Sequence, residues 1–435
     1  RHFNNIKFYS SSSLLNGPNI ETAGEDTLFL GVVETFPSYL YYYIASLFTK
    51  ILYQSGLEDI HVYIALRFIT IVLSFVVLLI VRYLCRIVKL SLAQENLVLL
   101  GIVFTGAFSW MSSAISYDIP SLLLFLLVVS MCLQYLQTRR VGYVYLSFLF
   151  TLLLGVTKYT YIPTAGIAVI TSIIFVWLGS GKSVAIYLND FYRDTINVVK
   201  RRKVLSIVVL LGIVISGILF FGRVGGNLLE YQSVNPVCSK VYSRDQCMLY
   251  DLYARNTNRA DLLNEADYQF HYQPFSYPGM WLETYFKSTY KFFGQMRQEY
   301  LTATQAIVAT LAALAIIVII LTIRRIRLSQ ELRYVGIIAI VYCVILIVFN
   351  LVTYAKYQAT YGYQGRYLHF PLIVLYMYLT MYARTLYGHV NDRNTLWLMT
   401  ALVSIFVLFL VIFNPLFTYI SEADSTEWYF DIGRL

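Results

Sequence analysis

The chain has 435 residues, of which 58% are hydrophobic and 13% charged, and a formal charge of +9, with a mean hydropathy of +0.63. A water-soluble domain of this length cannot bury that much apolar surface, because interior volume grows too slowly with size, so a soluble globular protein is excluded. The basic residues fall in short clusters beside apolar runs, not on one basic face, which points to a lipid bilayer as partner and away from nucleic acid.

Apolar windows predict an all-α, polytopic transmembrane bundle of about ten spans, near 60–84, 95–114, 119–137, 141–157, 160–179, 204–222, 302–323, 332–352, 367–386 and 395–414. Runs such as Val204–Phe221, Leu301–Ile323 and Leu396–Phe413 carry no Asp, Glu, Lys or Arg. They are long enough to cross a hydrocarbon core of about 30 Å. Many of the 39 tyrosines stand at span ends, where a wet hydroxyl on an apolar ring belongs.

Residues 1–59 read as a first extracytoplasmic loop whose preceding span is expected upstream of Arg1. Its apolar stretch Phe36–Tyr53 is read as an interfacial helix, because counting it as a span would invert every later loop. Residues 60–222 form a six-span N-terminal bundle. If spans alternate, Arg82, Arg86 and Lys89, then Arg139 and Arg140, then Lys182, Arg193 and Lys200–Lys203 share one side with Arg324, Arg325, Arg327, Arg384 and Arg393. That side is cytoplasmic by the bias of short basic loops, and 184–203 is expected to lie on it as an amphipathic surface helix.

The opposite side holds Asp118, Lys158, the large loop 223–301, the segment 353–366 and the tail 415–435, with a four-span region at 302–414 between loop and tail. Positions 223–300 carry eight basic and eight acidic residues, a balance suited to a folded extracytoplasmic element. Cys238 and Cys247, with eight residues between them, are expected to form a disulfide there. A metal pair has less behind it, since no His or further Cys stands nearby.

Ionisable groups at the lip of an apolar bundle are costly, so each is a candidate site residue. Arg67 lies about two turns into the first span and either snorkels to headgroups or holds a lipid phosphate. Asp118, in Ser116-Tyr117-Asp118-Ile119-Pro120, reads most simply as a helix N-cap, with substrate binding as the other reading. Lys158, followed by Tyr159, sits in a turn with almost no loop and faces either an anionic substrate or lipid phosphates. Gln364, Arg366 and Tyr367 precede a span on the outer side, where Gly365 permits a tight backbone and an outer arginine runs against the local charge bias. Glu21, Glu25 and Asp26 are the acids of the first loop, and Tyr250, Arg255, Trp281 and Glu283 are contacts offered by the large loop. Gly179-Ser180-Gly181-Lys182-Ser183 lacks the first glycine and the strand of a phosphate loop and is set aside.

The run FPSYLYYYIASLFTKIL followed by ALRFITIVLSFVVLLIVRYL resembles the first-loop helix and following span of GT-C-fold glycosyltransferases, which use polyprenyl-phosphate sugars. SYDIPSLLLFLLVVS is similar to a span start in the same enzymes. LLGVTKYTYIPTAG and YQGRYLHFPLIVLYM resemble segments of the uncharacterised bacterial membrane-protein family called domain of unknown function 2142. The resemblance covers roughly 1–385, in order. It implies transfer of a sugar from a polyprenyl-phosphate donor to a glycan, lipid or protein acceptor on the outer face of a bacterial plasma membrane. It also implies no cofactor beyond a possible divalent cation, a first-loop carboxylate as base, and cations (Lys158, Arg366, Arg67) on the donor phosphate. The opening Arg1-His2-Phe3 is similar to the end of the family's acidic motif, so the base is expected either before Arg1 or among Glu21, Glu25 and Asp26. The competing expectations are a transporter or flippase of lipid-linked glycans and a non-catalytic scaffold. A transporter would show polar or broken helices near the midplane, whereas these spans read as smoothly apolar.

Overall fold

The computed structural model describes residues 39–387 except 104, 235, 237, 242, 249–252, 254, 255, 259, 262–276, 291–327 and 358–363. The expected spans 302–323 and 395–414, and Glu21, Glu25, Asp26, Tyr250 and Arg255, lie outside the described residues.

Every regular element among the described residues is helical: α1 Tyr39–Gln54, α2 Asp59–Ile87, α3 Leu92–Val103, α4 Gly106–Ser113, α5 Asp118–Thr138, α6 Gly142–Thr157, α7 Ile162–Ser180, α8 Val184–Arg201, α9 Lys203–Tyr231, a one-turn α10 Arg244–Met248, α11 Tyr277–Tyr290, α12 Gln330–Tyr357 and α13 His369–Tyr387. Lipid offers no partner to a backbone amide, so each crossing segment must close its own hydrogen bonds, and an α-helix does so without neighbours. Among the described residues five helices are long and apolar enough to cross a membrane: His61–Ile87, Asp118–Thr138, Tyr159–Ser180, Lys203–Tyr231 and Gln330–Tyr357. The chain is therefore compatible with a multi-pass membrane protein. With 16 residues, α6 is apolar but shorter than the hydrocarbon core. The helix α1 is not among the five.

The expected single span at 95–114 is instead two helices, α3 and α4, bent by 68°. Thr105 stands at the break. Its hydroxyl donates to the Gly101 carbonyl at 2.8 Å and pairs with the Tyr376 hydroxyl at 2.9 Å, tying the break to α13. The pair is still apolar enough to count together as one crossing, so what hydropathy averages away is the break itself, which a polar side chain with two partners can hold.

Contacts give the bundle two distinct ends. At one, the start of α5 (Asp118) meets the turn after α6 (Lys158) and the turn before α13 (Arg366). Ring contacts bring Tyr42 of α1 edge-on to Tyr117 at the same end. At the other, Tyr135 of α5 bonds Tyr187 of α8, Gln137 bonds the Ile87 carbonyl and Glu331, and Gln94 bonds the Thr380 carbonyl. α8 docks there through Tyr187, Phe191 and Thr195, one line at four-residue spacing, with Tyr145 bonding Thr195.

Burial follows position. Two thirds of the apolar window of α5 is inside the bundle, against 6% for α9, which lies at the rim. α9 still packs closely on α6: a Cβ added at Gly155 would stand 2.7 Å from the Phe220 ring.

Candidate functional site

The site assembles where three chain breaks converge. At Lys158 the backbone is extended (φ −155°, ψ 101°), which ends α6 and starts a 3₁₀ turn at Tyr159–Tyr161. Pro163 then lies in the first turn of α7, where its missing amide costs nothing. A second 3₁₀ turn, Gly365–Leu368, presents Arg366. Its glycine is required by contact: a Cβ at Gly365 would overlap the backbone of Thr289 on α11.

Asp118 is the first residue of α5, and Tyr117 occupies the N-cap position without a side-chain cap bond. The N-cap reading of Asp118 is therefore corrected. Its carboxylate turns to the charges instead: Lys158 Nζ is 2.5 Å from Oδ1 and Arg366 Nη1 is 2.9 Å from Oδ2. The Ser116 hydroxyl adds a bond to Oδ2 at 3.2 Å. Local sequence favours a cap because Asp before a helix is a common cap; two cations 40 and 248 positions away outweigh one backbone amide.

Asp118 is 3% exposed and Lys158 4%, so the lysine is enclosed by protein and does not extend outward from the bundle. One carboxylate against two cations leaves a net charge of +1 at a nearly closed site. Burial opposes charge on Lys158 and Arg366, but the Asp118 carboxylate outweighs it and raises both above their ordinary values, so both stay charged.

Aromatic rings wall the cluster. Lys158 Nζ lies 4.6 Å from the Tyr367 ring centre and 4.9 Å from that of Tyr117, and the Arg366 guanidinium is 5.7 Å from the Trp110 ring. Below it, Phe125 of α5 contacts Tyr161 at 5.1 Å and Phe370 at 4.8 Å, an apolar floor between the charges and the bundle core. Beside it, Tyr277, Trp281 and Tyr285 of α11 pack with Tyr354, and with Tyr367 and Leu368 of the turn.

Several buried polar atoms here have no hydrogen-bond partner among the described residues: Arg366 Nε, Gln364 Oε1, His369 Nε2, Thr289 Oγ1 and Trp281 Nε1. His369 Nδ1 is 2.9 Å from the Arg366 carbonyl.

Of the residues singled out in the sequence, Asp118, Lys158, Gln364, Arg366 and Tyr367 come together, with Tyr159 in the adjoining turn. Arg67 sits on α2 over the Tyr63 ring, 4.5 Å from its centre. Trp281 borders the cluster, while Glu283 is exposed. Cys238 and Cys247 are joined in a disulfide with Cα atoms 5.8 Å apart. Trp110, Thr289 and His369 escape sequence reasoning. His369, three residues after Arg366 at a helix start, carried a signal; Thr289 carried none.

Among the described residues no group of three His, Cys, Asp or Glu is placed to hold a metal ion. Both Asp118 oxygens face cations, a donor set that does not fit a divalent ion.

No family model, curated protein or solved structure matches the chain.

Proposed function

We propose that the chain is a multi-pass membrane glycosyltransferase of ten-span, GT-C-like architecture. It would take a sugar from a polyprenyl-phosphate donor and pass it to a cell-surface acceptor on the extracytoplasmic face of a bacterial plasma membrane. The observation that carries this reading is the Asp118–Lys158–Arg366 cluster, net positive, ringed by aromatics and adjoining unpartnered polar atoms at one end of the bundle.

In this reading the donor phosphate rests against Arg366, with Lys158 behind it, and Asp118 fixes both cations in place. The acceptor oxygen bonds to the anomeric carbon, the bond from that carbon to the phosphate oxygen breaks, and the phosphate leaves with the electron pair. Preplaced cations stabilise the charge that develops on it. The acceptor proton goes to a base, which we assign to the first loop because the Asp118 oxygens are committed to cations.

The test is native mass spectrometry of the full-length protein in mild detergent, wild type beside Arg366→Ala, followed by turnover of any lipid found. A co-purifying polyprenyl-phosphate sugar that is lost in the variant and consumed on adding acceptor is the expected result. Ordinary phospholipids alone in both samples sink the reading and favour a scaffold. The break between α3 and α4 favours one second reading, a flippase of the same lipids. That reading predicts binding and transbilayer movement with no bond cleavage.

A further inference from the structure

The atoms beside the charge cluster that lack a partner among the described residues differ from it in chemistry. Arg366 Nε and Trp281 Nε1 only donate, Gln364 Oε1 only accepts, and the Thr289 hydroxyl does either. His369 is settled by its other nitrogen. The Arg366 carbonyl can only accept, so His369 Nδ1 must donate to it. In the neutral ring that leaves Nε2 with a lone pair and no hydrogen. His369 is 2% exposed and Thr289 1%. Buried groups of this kind are ordinarily paired, so a concentration of unpaired ones calls for an occupant.

That occupant must both give and take hydrogen bonds. A phosphate diester has acceptors alone; it would satisfy Arg366 Nε and repel the lone pairs of His369 Nε2 and Gln364 Oε1. Hydroxyl groups do both.

We propose that Gln364, Thr289, Trp281 and His369 form a hydroxyl-recognition subsite, in which His369 Nε2 accepts a hydrogen bond from a hydroxyl of the donor sugar. This rests on the transferase reading and adds to it a division of labour. Lys158 and Arg366 face the phosphate, and the His369 side faces the sugar.

Two substitutions separate the roles of the two ring nitrogens. His369→Asn keeps a donor near Nδ1 and removes the group at Nε2. His369→Gln keeps a polar amide near Nε2 and removes the Nδ1 donor. The probes are bare polyprenyl phosphate and a panel of polyprenyl-phosphate hexoses and pentoses, with affinity measured on full-length protein in detergent. Thr289→Val, which keeps shape and removes the hydroxyl, is the companion variant, and size-exclusion profiles check folding.

Wild type is expected to prefer at least one sugar-bearing lipid over bare lipid. His369→Asn should lose about tenfold of that preference, as befits one lost buried hydrogen bond, with bare-lipid affinity unchanged. His369→Gln should keep most of it, and Thr289→Val should lose part of it. The subsite is overturned if His369→Asn retains the preference, as it would if a buried water occupied the position. It is also overturned if His369→Gln loses the preference while His369→Asn keeps it, which would reduce the histidine to its bond with the Arg366 carbonyl. Wild type binding bare and sugar-bearing lipids equally sinks the subsite alone, and wild type binding neither sinks the transferase reading itself.

Discussion

Each end of the bundle holds one carboxylate between two cations. At one end Asp118 lies between Lys158 and Arg366, at 2.5 and 2.9 Å, with partner side chains 5% and 20% exposed. At the other Glu95 lies between Arg82 and Arg86, at 3.4 and 3.5 Å, with partners 41% and 59% exposed. The charge count is the same. The exposed arginines keep their hydration and are screened by salt, so although the Glu95 side chain is itself only 5% exposed, its long contacts hold it more loosely than the Asp118 group is held. The Asp118 group has given up its water, so each charge depends on the others. Equal composition thus gives a loose brace at one end and a fixed electrostatic site at the other.

The largest expected effect breaks the buried side of this comparison. Asp118→Asn leaves two desolvated cations facing each other and should cost about 3–5 kcal/mol, read as a marked loss of thermal stability in detergent. A loss no larger than that of a surface mutant would mean water fills the site.

Lys158→Met comes next. Asp118 keeps Arg366 and Ser116, so the expected cost is about 1.5–3 kcal/mol, the scale of one hydrogen bond to a charged group. The same unfolding measurement should rank it below Asp118→Asn. The reverse ranking would show that the lysine has a second task in the fold.

Gly365→Ala tests how tightly the Arg366 turn is held against α11. The added methyl overlaps the Thr289 backbone, so a displacement costing about 1–3 kcal/mol is expected, together with weaker lipid retention in native mass spectrometry. Unchanged retention would show that Arg366 reaches its place by another route.

Glu95→Gln should be the mildest, about 1 kcal/mol, because its contacts are long and its arginines stay hydrated although the carboxylate is buried, with a difference from wild type that shrinks at high salt. A cost like that of Asp118→Asn would erase the contrast between the two ends.

Hydropathy alone is enough for the membrane class and for most helix positions, because lipid admits only segments that satisfy their own backbone. Those segments announce themselves as uninterrupted apolar runs such as 204–222. The residues at the site were also visible one at a time, since a lysine in a loopless turn or an arginine just before an apolar run stands out against an apolar background. Their relationship was not visible. Local pattern assigned Asp118 to a backbone amide next door, and only folding brought in Lys158 and Arg366 from 40 and 248 positions away. The break at Thr105 was likewise hidden, because an average over a window dilutes one polar side chain whose partner, Tyr376, lies on another helix. Thr289 and His369 belong to the same category. Partition between water and lipid is a sum over neighbouring residues and can be read along the chain, whereas charge pairing and unpaired polar atoms depend on which distant residues share a few ångströms of space.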